Sequence, residues 1–119
     1  MKIIKQKDAL VFRKQGKTLD VLAREYPMGN PDLNIAEVII RGRYPEKGWA
    51  VNRVSTMMVY ILSGTVRIAI KGKRPETLTV GDAVEIQAGE EYSLDPDGVV
   101  RLLPASTPAW TPEQHQTVE

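Results

Sequence analysis

Between Ile35 and Leu103 the chain is cut by turn residues into short apolar stretches, and this spacing leaves little room for anything but strands. Ile35 to Ile40 (IAEVII) is rich in β-branched residues and lies between Asn30-Pro31-Asp32 and Arg41-Gly42-Arg43. Met57 to Leu62 (MMVYIL) ends at Ser63-Gly64. Thr65 to Ile70 (TVRIAI) follows at once, with Val66, Ile68 and Ile70 alternating against Thr65, Arg67 and Ala69, so two strands meet at a tight glycine turn. Lys71-Gly72-Lys73-Arg74-Pro75 leads into TLTV (Thr77 to Val80). The Gly81-Asp82 turn, AVEIQ (Ala83 to Gln87), the Ala88-Gly89 turn and GVVRLL (Gly98 to Leu103) complete the series. Turn signals at intervals of about eight to twelve residues are those of a sandwich or barrel.

One segment carries a competing period. Leu19, Leu22, Ala23 and Tyr26 stand at i, i+3, i+4 and i+7, as on an amphipathic helix. The window is short, Pro27 stops it and its surroundings are strand and turn, so the expectation is a strand through Val21 to Tyr26. The C-terminal stretch 104–119 (PASTPAWTPEQHQTVE) holds three prolines and little periodicity. It reads as an irregular, extended tail anchored to the body by Trp110.

Length and charge exclude several classes. A chain of 119 residues makes one domain. Sixteen Lys and Arg against 15 Asp and Glu give a net charge of +1, and the basic residues are dispersed, so nucleic acid is not an expected partner. The longest apolar run falls far short of the roughly 20 residues that span a bilayer, so no membrane crossing is expected. MKIIKQKDAL lacks the apolar core of a secretory leader, which points to the cytoplasm. With no cysteine, a thiol nucleophile, a disulfide framework and a thiolate metal site are all absent.

The glycine frame also carries a family resemblance. Met57 to Gly64 followed by TVRIAI resembles the first motif of the cupin superfamily, G-x5-H-x-H-x3-4-E-x6-G. The stretch GDAVEIQAGEEYSLDP from Gly81 resembles the second, G-x5-P-x-G-x2-H-x3-N, with Gly81 and Gly89 at its two glycine positions. GRYPEKG (Gly42 to Gly48) and TPAWTPEQH (Thr107 to His115) are similar to segments of small single-domain bacterial and archaeal cupins. The resemblance covers about residues 35–103. It implies an all-β, cupin-type double-stranded β-helix (a jelly-roll barrel) formed by a single domain over 1–119.

It also implies where a metal would be held, and those positions carry the wrong side chains. Met57 falls at the glutamate position and Tyr92 at the second-motif histidine. Ala50 and Asn52, or Val51 and Arg53, fall at the first-motif histidines. None is an imidazole or carboxylate, so no metal and no cofactor are expected.

The candidate ligand contacts are therefore Asn52, Met57, Tyr60, Tyr92, Trp110 and His115. Adjacent Met57 and Met58 point to opposite faces of a strand, and the motif resemblance implies that Met57, Val59 and Ile61 point inward and form an apolar floor. Tyr92 places a phenol in or near the cavity, either as a ligand contact or in a structural hydrogen bond. His115, the only histidine, is either a surface residue of the tail or an acid–base group carried to the pocket by Trp110.

Three functional readings follow. The first is a metal-free barrel that binds a small molecule. The second is a metal-independent enzyme of the isomerase, epimerase or lyase type, using Tyr92 with a nearby acid or base. The third is a dimerisation scaffold in which Ile35 to Ile40 presents an apolar sheet edge; a homodimer is expected in any case.

Overall fold

The computed structural model describes residues 1–119 and is all-β. In chain order its strands are β1 (Leu10–Gln15), β2 (Asp20–Glu25), β3 (Asn34–Arg41), β4 (Trp49–Asn52), β5 (Thr56–Ser63) and β6 (Val66–Ile70). Then come β7 (Glu76–Leu78), β8 (Ala83–Ile86), β9 (Tyr92–Pro96), β10 (Val99–Thr107) and β11 (His115–Val118). They form two antiparallel sheets, one of six strands ordered β1-β2-β3-β10-β5-β8 and one of five ordered β11-β4-β9-β6-β7. No helix is long and apolar enough to cross a membrane.

The period of two in the sequence is what brings the sheets face to face. In β5, Val59 and Ile61 are 4% and 1% exposed while Met58 and Tyr60, pointing the other way, are 54% and 45% exposed. The first sheet also turns Ile40, Ile86, Val100 and Leu102 inward, and the second turns Ala50, Val66, Ile68, Tyr92 and Leu94 to meet them. Each fully buried Val, Leu or Ile contributes about 1.5–3 kcal/mol, so this shared face is the main stabilising element.

Val21 to Tyr26 does form a strand, β2, shifted by one residue; flanking β1 and β3 supply ladder partners on both sides, which outweighs the weak helical spacing. Outside the span of the resemblance, β1 and β2 add to β3 on one side and β11 adds to β4 on the other. Two expectations need correction. Ile35 to Ile40 is not an edge: β3 lies between β2 and β10, and the edges of that sheet are β1 and β8. Nor is the tail irregular. Pro104 to Thr107 continue β10, and β11 pairs along its whole length with β4, His115 opposite Asn52 and Val118 opposite Trp49. Proline hid the first of these continuations. The β10–β3 ladder pairs Leu102 with Val38 and Ala105 with Ile35 but skips Leu103 and Pro104, where proline has no N–H to donate.

Gly48 makes room for β11. Its φ is 71°, and a Cβ there would collide with the Val118 carbonyl oxygen, whereas Gly89, with φ 89°, has nothing within 4 Å of the place a methyl group would take. Gly89→Ala should therefore cost only the left-handed strain, about 1–2 kcal/mol. Gly48→Ala should cost more and speed amide exchange selectively at Gln116 to Val118, measured by urea unfolding and hydrogen exchange.

Candidate functional site

A cavity of about 240 Å³ lies between the two sheets. Its apolar wall alternates along each strand: Val21 and Ala23 from β2, Ala36, Val38 and Ile40 from β3, Met57 and Val59 from β5, Leu94 from β9, and Leu102 and Pro104 from β10. The polar groups are Tyr44, Tyr92, His115, Ser106, Asn34, Glu25 and Lys14.

The tail reaches this cavity through a set of buried side-chain hydrogen bonds. Asn52 Oδ1 accepts from the backbone N–H groups of Val54 (2.9 Å) and Ser55 (2.8 Å), and its amide donates to Gln114 Oε1 at 3.0 Å. The Ser55 hydroxyl lies 2.7 Å from the Pro108 carbonyl and 2.9 Å from Gln114 Oε1. Asn34 Oδ1 accepts the Trp110 N–H at 3.0 Å, and Ala109 donates to the Pro31 carbonyl at 2.9 Å. Trp110 is thereby fixed on the cavity wall, and the next strand begins with His115.

Tyr44 reaches the cavity from the loop before β4, which bridges β9. Its backbone bridges Leu94, with both N–H···O distances 2.8 Å, and its hydroxyl lies 2.9 Å from His115 Nε2. The two rings stack with centroids 5.8 Å apart. Burial, with a contribution from neighbouring Tyr92, raises the Tyr44 phenol well above its ordinary value; burial pushes Tyr92 up to about 12. Burial and the positive charge of Lys14 lower His115. At neutral pH the cluster thus holds two protonated phenols and a neutral imidazole. With the imidazole proton on Nδ1, the Tyr44 O–H donates to Nε2; in the other tautomer Nε2–H donates to the phenol oxygen.

Tyr92 and Ser106 differ from Tyr44. Both residues are buried, at 6% and 4% exposure, both line the cavity, and neither side-chain oxygen has a protein partner or is sealed from the open space.

Of the six residues singled out from the sequence, the structure brings Met57, Tyr92, Trp110 and His115 to one cavity. Tyr60 is not among them, because strand alternation that turns Met57 and Val59 inward turns Tyr60 to the outer face. Asn52 is not on the wall either; it is buried in the contacts that hold Gln114 and the Ser55 turn. Tyr44, Ser106, Asn34, Glu25 and Lys14 were missed. Ser106 and Lys14 fall in stretches without clean alternation, and Tyr44 lies in a loop, so only the tertiary contact with His115 reveals it.

Cupin barrels are frequent metal carriers, but the donors here do not fit one. Ala50 is paired opposite Tyr92 in β9, so Ala50 and Asn52 take the inward register and Arg53 is exposed. Nowhere do three His, Cys, Asp or Glu side chains converge. His115, already bonded to Tyr44, is the single imidazole.

Two facing antiparallel sheets, with a cavity between them, make this a cupin fold. Solved structures agree. Streptomyces PAC13, in a variant with uridine, is similar at 15% identity over 97% of this chain and 88% of its own, with a TM-score of 0.78. Ectoine synthase from P. lautus is similar at 14% identity over 100% and 91%, with a TM-score of 0.74. The Clostridium difficile EutQ protein is similar at 18% identity over 89% and 80%, with a TM-score of 0.64. At such identities the likeness establishes the fold alone. No protein-family model and no curated protein matches the sequence.

The lowered His115 makes a pH signature. An imidazole held neutral in the folded chain binds fewer protons than in the unfolded chain, so its contribution to stability is present above the ordinary value of about 6.5 and is lost as pH falls through and below it. Thermal unfolding between about pH 7.5 and 5.5 should show a fall in Tm for the wild-type chain that is visibly smaller in His115→Gln.

Proposed function

We propose that this protein is a metal-independent small-molecule-binding barrel whose ligand is an organic compound bearing hydroxyl or carbonyl groups. The observation that carries this reading is the pair of hydroxyls of Tyr92 and Ser106, which face an apolar cavity with no protein partner. Each is free to bond a ligand, and a neutral hydrogen bond contributes about 0.5–1.5 kcal/mol. The mostly apolar wall favours a compact body between these polar points.

A second reading, acid–base catalysis without a metal, draws on a different observation. The Tyr44 hydroxyl and His115 Nε2, 2.9 Å apart, form a neutral donor–acceptor pair next to Tyr92, so a proton can be given at one oxygen and taken at one nitrogen within the same cavity. PAC13 is described as a nucleoside dehydratase, and it has been solved with uridine in variants at one histidine and at two tyrosines. On that likeness of fold, dehydration or isomerisation is the reaction type we assign to this alternative.

Both readings are tested by saturation-transfer NMR on chelator-treated protein, with uridine and phenol as probes at about millimolar concentration. At least one should bind, with contacts to Met57 and Trp110, and Tyr92→Phe should weaken it about 2–10-fold, the span of one neutral hydrogen bond. Absence of binding by both, or restoration only by added metal, overturns the metal-free site.

A further inference from the structure

We propose that the mouth of this cavity is a subsite for a planar, positively charged nitrogen group such as an amidinium or guanidinium, received by the Glu25 carboxylate between the rings of Phe12 and Trp110. The proposal rests on the reading of the cavity as a small-molecule site and names the kind of molecule that would fill its outer end.

Glu25 ends β2 on the inner face of the six-stranded sheet and borders two spaces at once. One is the main cavity. The other is an adjoining, more open groove whose wall includes Leu10, Phe12, Pro27, Trp110 and Pro112. The two spaces share Glu25, Asn34 and Trp110, so together they make one elongated site with the carboxylate at its waist.

Every other carboxylate that is not exposed has a partner. Asp20 pairs with Arg13, Glu37 with Arg24 and Arg101, Glu90 with Lys73 and Glu91 with Lys71, while Glu46 accepts from Thr18. Glu25 alone has neither an ion pair nor a hydrogen bond. Its cross-strand neighbours are Leu10 and Ala36, which have nothing to donate. The Asn34 amide is committed to the Trp110 backbone. Lys14, the cation of the main cavity, is registered opposite Val21, four residues or about 13 Å along the strand. Half-burial without a partner raises the Glu25 carboxyl above the usual carboxylate range. Within the chain Glu25 has no partner, so its carboxylate is free to receive a cationic group of a ligand.

The surroundings select its chemistry. Phe12, 46% exposed on edge strand β1, and Trp110 offer aromatic surface to a cation, and a carboxylate matches a flat N–H pair with two parallel hydrogen bonds. A hydrated anion meets only repulsion there.

The test uses the intact protein with benzamidine, benzamide and benzoate, followed by calorimetry and by NMR shifts of Trp110 and Met57. Benzamidine should bind at least tenfold more tightly than its neutral isostere benzamide, and benzoate should not bind at the mouth. Glu25→Gln should bring benzamidine and benzamide to within about twofold of each other. It should not lower Tm, since it removes an unpaired, partly desolvated charge. Phe12→Ala should weaken benzamidine while leaving its preference over benzamide. Equal binding of benzamidine and benzamide by the wild-type chain, or a preference that survives Glu25→Gln, overturns the proposal. If phenol or uridine still binds with sensitivity to Tyr92→Phe in that case, only the subsite fails. If no probe shifts Trp110 or Met57, the cavity reading fails with it.

Discussion

Asn52, Ser55 and Gln114 meet where the C-terminal segment crosses back over the barrel, and the cavity end of the molecule depends on that contact. Asn52 uses its oxygen to close the turn before β5 and its amide to hold Gln114, while Ser55 reaches Pro108. A buried amide whose oxygen and nitrogen both have partners is favourable in place but expensive to break, since each partner left behind is desolvated and unpaired. The segment beyond β10 is thereby tied at Pro108 and Gln114, and the chain between those ties carries Trp110. The strand that follows covers the open edge of β4 and starts at His115.

The same arrangement accounts for the electrostatic character of the cavity. Its interior is made of β-branched and aliphatic side chains from both sheets, so any ionisable group drawn into it is pushed towards its neutral form. Tyr44 and Tyr92 stay protonated and His115 stays unprotonated for this one reason, with Lys14 reinforcing the last. At the mouth, where Glu25 is half exposed, a carboxylate has no partner within the chain. Met57 and Tyr92, where the fold often collects metal ligands, leave that part of the cavity wall with apolar surface and a hydroxyl.

Charge on the outer face has a different function. Glu37 on β3 accepts from Arg24 on β2 at 2.6 Å and from Arg101 on β10 at 2.5 Å, and these bonds hold its carboxyl below the usual range. Such a bridge ties three adjacent strands at the place where the β10–β3 ladder is interrupted by Pro104. It stabilises the sheet on the side away from the cavity and leaves the inner face free for apolar side chains.

What the sequence determined by itself is what period-two alternation and turn chemistry encode within a few residues. Val59 and Ile61 point in because Met58 and Tyr60 point out; the turns at Gly64, Gly81 and Gly89 follow from residues that tolerate them; the cupin frame follows from the separation of those turns. Tyr92 and Met57 were legible as cavity residues for this reason, and the same alternation already opposed Tyr60. The tertiary structure decided everything that joins distant segments. HQTV has no apolar rhythm, and its strand exists because β4 offers an open edge. Tyr44 and His115 are 71 residues apart and are brought together by two unrelated contacts, the Leu94 bridge and the β11–β4 ladder. Glu25 is an ordinary strand-end glutamate until the returning tail lays Trp110 beside it. Local patterns set which way a side chain points; only the pairing of strands far apart in the chain sets what it meets there.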